Sequence, residues 1–181
     1  MEFIKTKFKN AFLIKPKIFQ DRRGFFLESY SWKKFKEKGI DNIFIQDNHA
    51  FSKEKGVLRG LHFQLPPHTQ AKLVRVTAGA VFDVIIDLRK DSETFGQWQG
   101  FNLSAKNFQM LFVPQGFAHG YCALEKNTEF IYKCDNFYAP ESDSGIIWND
   151  PDLKIDWPIK KPILSEKDAQ LGFLKDFKSS F

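Results

Sequence analysis

The 181-residue chain is 43% hydrophobic and 27% charged, which suits one domain, residues 1–181, and excludes a fibrous or disordered protein. No apolar run approaches the ~20 residues of a membrane helix, and Met1-Glu2-Phe3-Ile4-Lys5 lacks the apolar segment of a secretory signal, so no membrane partner is expected. Two cysteines, Cys122 and Cys134, cannot staple a domain of this size, which points to a reduced, cytoplasmic setting; the net charge of +5 is modest and spread along the chain.

Short strands dominate. Ala11 to Phe19 and Gly24 to Ser29 are β-rich runs separated by the polar turn Gln20-Asp21-Arg22-Arg23. Ser31 to Lys38 is the one early helix, with Ser31 as its N-cap. Its basic run Lys33-Lys34-Phe35-Lys36-Glu37-Lys38 reads as a solvated face rather than a nucleic-acid patch, since no recognition motif accompanies it. Strands follow at Gly56 to Gln64, Lys72 to Ala78, Ala80 to Leu88, Gln97 to Leu103, Met110 to Pro114, Gly120 to Glu125 and Glu129 to Tyr138. Gly, Pro and Asn turns at this spacing predict a sandwich or barrel, so the fold class is all-β with a few short helices. From Gly145 the tail is proline-punctuated, with a short helix expected from Ser165.

Alternation sorts the side chains. Lys72 falls on the side of Val74 and Val76, so a lysine points with the apolar set and must face a polar cavity or a partner. Phe130, Tyr132 and Cys134 share one face of their strand, Ile131 and Lys133 the other. Arg59 and His62 are an odd number of residues apart and would face opposite sides of a regular strand, but Gly60 between them marks a bulge that turns both toward one site.

A lone histidine on a strand is more often structural than catalytic, but His62 and His119 each sit among polar partners in strand-end contexts. Pro114-Gln115-Gly116-Phe117-Ala118-His119 matches half of the cupin metal-binding pattern. The other half is broken, reading His62-Phe63-Gln64 with His68 after a diproline. His62, His68 and His119 would suit a metal by ligand type, whereas Lys72 facing the same cavity would repel a cation.

A set of runs then carries a resemblance over nearly the whole chain, from about Phe3 to Asp168. Phe19-x-Asp21-x-Arg23-Gly24-x-Phe26-x-Glu28, Gln46-Asp47-Asn48-His49, Gly56-Val57-Leu58-Arg59-Gly60-Leu61-His62-Phe63-Gln64 and Gln70-Ala71-Lys72-Leu73-Val74 come first. Pro114-Gln115-Gly116-Phe117-Ala118-His119-Gly120, Tyr132-Lys133-Cys134, Trp148-Asn149-Asp150-Pro151 and Leu164-Ser165-x-Lys167-Asp168 follow. In this order they resemble the dTDP-4-dehydrorhamnose 3,5-epimerase family. The resemblance implies a cupin-like jelly roll, no cofactor, no metal, and a homodimer with exchanged N-terminal segments acting on a nucleotide-sugar substrate. It implies His62 as a base oriented by Asp168, Tyr132 as the opposing acid and Lys72 as the counter-charge of an enolate oxygen, helped by His119. A cation such as Lys72 would also ease proton donation by Tyr132.

Arg23, Arg59 and Lys167 would hold the pyrophosphate; Gln46, Asp47, Asn48 and Glu28 the sugar and base edges; and Phe19, Phe26 and Tyr138 would stack on the thymine. For Phe19 and Phe26, core packing is an equal alternative. Asp143 stands where many relatives carry glutamate, which opens its substrate role to question. Rival readings are a monoepimerase of the same substrate class, a non-catalytic sugar-nucleotide-binding cupin, and a metal-dependent cupin enzyme.

Overall fold

The computed structural model describes residues 1–181. In chain order the strands are β1 (Glu2–Lys5), β2 (Phe12–Lys15), β3 (Ile18–Asp21), β4 (Gly24–Leu27), β5 (Gln46–Ser52), β6 (Leu58–Gln64) and β7 (Lys72–Ala78). Then come β8 (Ala80–Asp87), β9 (Trp98–Ser104), β10 (Met110–Val113), β11 (Phe117–Ala123), β12 (Thr128–Cys134) and β13 (Asp143–Gly145). One α-helix, α1 (Trp32–Lys36), lies between β4 and β5. A six-stranded sheet of order β1-β2-β10-β7-β12-β5 faces a five-stranded sheet of order β13-β6-β11-β8-β9, and β3-β4 forms a separate hairpin. These antiparallel sheets, with neighbours distant in sequence, make the jelly roll that the family resemblance implied, within the sandwich or barrel that the strand pattern predicted.

Period-2 alternation builds three apolar layers. Between the sheets lie Val74, Val76, Val81, Ile85, Phe101, Leu103, Leu111, Phe117 and Phe130. Outside the six-stranded sheet, Ile14, Leu73, Met110 and Phe112 are covered by Phe35 of α1 and by Ile40. Outside the five-stranded sheet, Leu58, Leu61, Phe63, Val84, Ile86 and Cys122 are covered by the tail, through Ile146, Leu153, Trp157, Phe177 and Phe181.

The long early strand predicted from Ala11 breaks at Pro16-Lys17, because proline lacks the amide to continue the ladder. The helix expected from Ser165 is a single 3-10 turn, Asp168–Gln170. It belongs to a tail tied down by backbone bonds from Ile147 N–H to Gly172 O (2.8 Å). A second tie is the buried Asp150 carboxylate, which accepts the amides of Asp152, Leu153 and Leu174.

Candidate active site

The bulge read from Gly60 is present. In the β6–β11 pairing His119 opposes His62 and Tyr121 opposes Arg59, so β6 has one residue more than its partner across that step. Gly60 carries φ +122°, and a Cβ there would stand 2.6 Å from Gly120 Cα. The two strands therefore approach most closely where neither can bear a side chain. The extra residue puts Leu58 and Leu61 in the outer layer and brings His62 and Arg59 to the mouth of the jelly roll.

There they line a cavity of about 480 Å³ between the sheets. The five-stranded sheet contributes Arg59, His62, His119 and Tyr121; the six-stranded sheet contributes Ala50, Lys72, Phe130 and Tyr132; the tail closes one side with Ile163, Ser165, Lys167 and Asp168.

His62 Nε2 lies 2.6 Å from Asp168 Oδ1. Asp168 Oδ2 accepts the Gly60 amide at 3.3 Å, and Ser165 Oγ accepts the Asp168 amide at 3.1 Å, so the bulge holds the carboxylate while the turn holds the backbone that carries it. Burial pushes the Asp168 carboxyl up, but the bonds from His62, Gly60 and Ser165 outweigh it and hold the group below its ordinary value. It is an anion at neutral pH and fixes both the orientation and the tautomer of the imidazole.

Tyr132 stands on the opposite sheet. Burial pushes its phenol up to about 12, with Cys134 and Tyr121 adding to the shift, so it is protonated at neutrality. Arg59 offsets part of that shift, while Lys72, in the same cavity, is lowered by burial against the raising by Cys134, Asp143 and Asp83. Of the two acids that bear on it, Asp143 is paired with Lys167 and Asp83 with His119. The Cys134 thiol, pushed up to about 11 by burial, stays neutral. Lys72 is thus a desolvated lysine with no ion-pair partner of its own.

His119 is buried, with Nε2 2.9 Å from Asp83 Oδ2. Asp83 is the functional residue the sequence reading missed. Its signal was there: one acid in the inward row of β8, between Val81 and Ile85, is costly to bury unless paired. Burial raises its carboxyl, against the pull of His119 and Lys72.

The remaining predicted residues divide into three groups. Tyr138 donates to Asp143 Oδ2 at 2.9 Å, and Lys167 pairs with the same carboxylate, which makes one cluster at the mouth. Gln46 and Asn48 share the inward face of β5, bonded to each other at 3.0 Å, and Gln46 Oε1 accepts the Tyr138 amide. Asp47 is a correction: as the odd residue between them it faces outward and pairs with Lys133 at 2.8 Å, away from the cavity. Within one chain Phe19, Arg23 and Phe26 stay on the β3-β4 hairpin, outside the cavity, with Arg23 held by Asp21. Phe19 and Phe26 are 53% and 69% exposed, which decides against core packing. Glu28, on the same arm, pairs with Lys34. His68 bonds Ser142 Oγ at 2.8 Å instead of joining His62 and His119.

The mouth of this jelly roll sets the His62–Asp168 pair opposite the Tyr132 phenol, with Lys72 in the same cavity, the kinds of group that acid–base chemistry at a carbon acid uses. The model of the dTDP-4-dehydrorhamnose 3,5-epimerase family matches residues 5–176. A dTDP-4-dehydrorhamnose 3,5-epimerase of Shigella flexneri is 52% identical over 169 residues, 93% of each chain. The solved structure of that enzyme from Bacillus anthracis, with TDP and PPi bound, superposes with a TM-score of 0.94 at 51% identity, covering 96% of this chain and 99% of the other. A Legionella pneumophila dTDP-6-deoxy-D-glucose-3,5-epimerase in complex with dTDP-4-keto-L-rhamnose gives 0.92 at 48% identity, covering 96% and 93%. This chain belongs to the dTDP-4-dehydrorhamnose 3,5-epimerase family.

Proposed function

We infer that this chain is an isomerase that epimerises C3 and C5 of dTDP-4-dehydro-6-deoxy-D-glucose, giving dTDP-4-dehydro-L-rhamnose. The observation that carries the chemistry is the opposition, across one cavity, of the His62–Asp168 pair and the protonated Tyr132, with Lys72 unpaired beside them. The C4 ketone acidifies the protons on C3 and C5. His62 takes one; the electrons move onto the ketone oxygen; Lys72 and the His119–Asp83 pair meet that charge. Tyr132 returns a proton from the other wall, inverting the centre, and Arg59 eases the phenolate it leaves. Only protons move, so the reaction balances without a redox partner.

The nucleotide belongs at the outer end, where Arg59 and Lys167 supply charge and Gln46, Asn48 and Tyr138 supply amides and a ring. We propose that the species at work is a homodimer. The exposed β3-β4 arm, carrying Phe19, Arg23, Phe26 and Glu28, reaches the partner's cavity to finish the pyrophosphate and base contacts that its own cavity does not receive. A cytoplasmic setting keeps Cys122 and Cys134 as the free thiols they are here.

Proton NMR of the 4-keto substrate in deuterated water tests the reading. The wild-type protein incorporates deuterium at C3 and C5. His62→Ala loses both by at least about 10²-fold. Tyr132→Phe retains exchange on the base face while inversion falls. Wild-type exchange rates in His62→Ala overturn the assignment.

A further inference from the structure

Gln64 breaks the cupin pattern and takes no part in the scheme above. It lies two residues beyond His62 on β6, so its side chain turns to the same face, but it does not line the cavity. It is 5% exposed, and a buried amide needs partners for its oxygen and its nitrogen. Both find them in main chain. Nε2 donates to the carbonyls of His68 at 2.6 Å and Phe137 at 3.1 Å, and Oε1 accepts the Ala139 amide at 2.7 Å.

Two of those three bonds fall on either side of Tyr138. Tyr138 gives its own amide to Gln46 Oε1 at 3.0 Å, and Gln46 is steadied in turn by Asn48. No strand or helix covers residues 135–139, so side-chain amides supply the partners that a ladder supplies elsewhere. The far end of Tyr138 returns to the same place. Its hydroxyl donates to Asp143, and Asp143 is the β13 residue paired with Gln64 in the β6–β13 ladder. Tyr138 is nevertheless 55% exposed. Its ring is fixed at the backbone and at the tip while much of its surface stays in water, the construction of a platform for a flat ligand rather than of a core contact.

We propose that Gln64 is a positioning residue for nucleotide recognition: through the main chain on both sides of Tyr138 it holds that ring ready to stack on the base. The proposal rests on the nucleotide-sugar reading above. Without the Gln64 amide, Tyr138 would have to be ordered at the moment of binding, and affinity would carry that cost. The chemistry at His62 is untouched once substrate is bound, so the loss belongs to KM and not to kcat.

The test is a cycle of Gln64→Met, Tyr138→Ala and the double variant. Calorimetric titration of Gln64→Met with dTDP should show affinity about fivefold weaker than wild type, the scale of ordering one side chain on binding. Inorganic pyrophosphate, which has no base, should bind as it does to wild type. Substrate deuteration should show KM raised by a similar factor and kcat unchanged. Tyr138→Ala should itself weaken dTDP by about tenfold, and adding Gln64→Met to it should cost nothing more. If Gln64→Met does not fold, Gln64→Glu repeats the cycle, since it keeps the volume and the acceptor for Ala139 but loses both donors. Unchanged dTDP affinity overturns the proposal. So does an equal loss of pyrophosphate affinity, a fall in kcat, or a full further loss in the Tyr138→Ala background. Failure of both Gln64 variants to fold marks the amide as structural and overturns it as well. A wild-type protein that does not bind dTDP instead overturns the nucleotide-sugar reading, and this role with it.

Discussion

At Asp168 burial and hydrogen bonding oppose each other, and bonding wins. The folded-state carboxyl therefore titrates below its ordinary value of 3.8. Its contribution to stability is complete above that value and is lost as pH falls through the folded one. Asp168→Asn should lower stability at neutral pH and flatten the acid limb below about pH 4, read from urea midpoints across pH; parallel curves would count against the pairing with His62. Lys72 has the opposite economy. Replacing this desolvated lysine by Lys72→Met should raise the melting temperature of the empty protein, while deuterium exchange into substrate falls by roughly 10²- to 10³-fold. Both residues show what the sequence could disclose. Lys72 was legible because alternation over five residues put a cation among valines. Asp168 came only through the family's motif, since it lies 106 residues from His62 and no local pattern joins them. Asp83 went unread because the faces of its strand were not sorted, although its partner His119 had been singled out.

The elements divide in the same way. Strands with a buried face and branched residues, β7 and β8 among them, were found close to their bounds. Three were not seen. β5, Gln46-Asp47-Asn48-His49-Ala50-Phe51-Ser52, is rich in residues that strands usually avoid and exists because β12 pairs with it along its length. β1 lies at the sheet edge, held by β2, and β13 is three residues docked on β6. Pairing made these strands, and pairing across such distances has no local signature. Gly60, by contrast, declared its bulge. With φ +122° and a Cβ position 2.6 Å from Gly120 Cα, Gly60→Ala meets backbone that cannot yield. It should cost on the order of 3 kcal/mol, roughly 10 °C in melting temperature for a chain of this size. It should also weaken the amide's hold on Asp168, so activity should fall further than the loss of fold predicts. A variant that melts and turns over like wild type would mean the approach is looser than drawn.

For the whole molecule the open question is how many chains make one working site. If the β3-β4 arm serves the partner, Arg23→Ala and His62→Ala are defects of different cavities in a mixed dimer. Co-refolding the two inactive variants should return up to roughly half of the dimers with one intact cavity; no recovery after verified subunit exchange argues for arms that serve their own chain. The tail raises a separate matter. It carries Asp168 but belongs to neither sheet. It rests on the outer layer through Trp157, Phe177 and Phe181, and is tied by Asp150 and the Ile147–Gly172 bond. Segments held this way open more readily than the strands beneath them. Residues 165–176 should therefore exchange their amide hydrogens by local opening, ahead of β8 and β11, and each opening withdraws the carboxylate that orients His62. Inactivation in mild urea should then precede the loss of β-sheet circular dichroism. It should also reverse on dilution, because the sheets that template the tail's return never came apart.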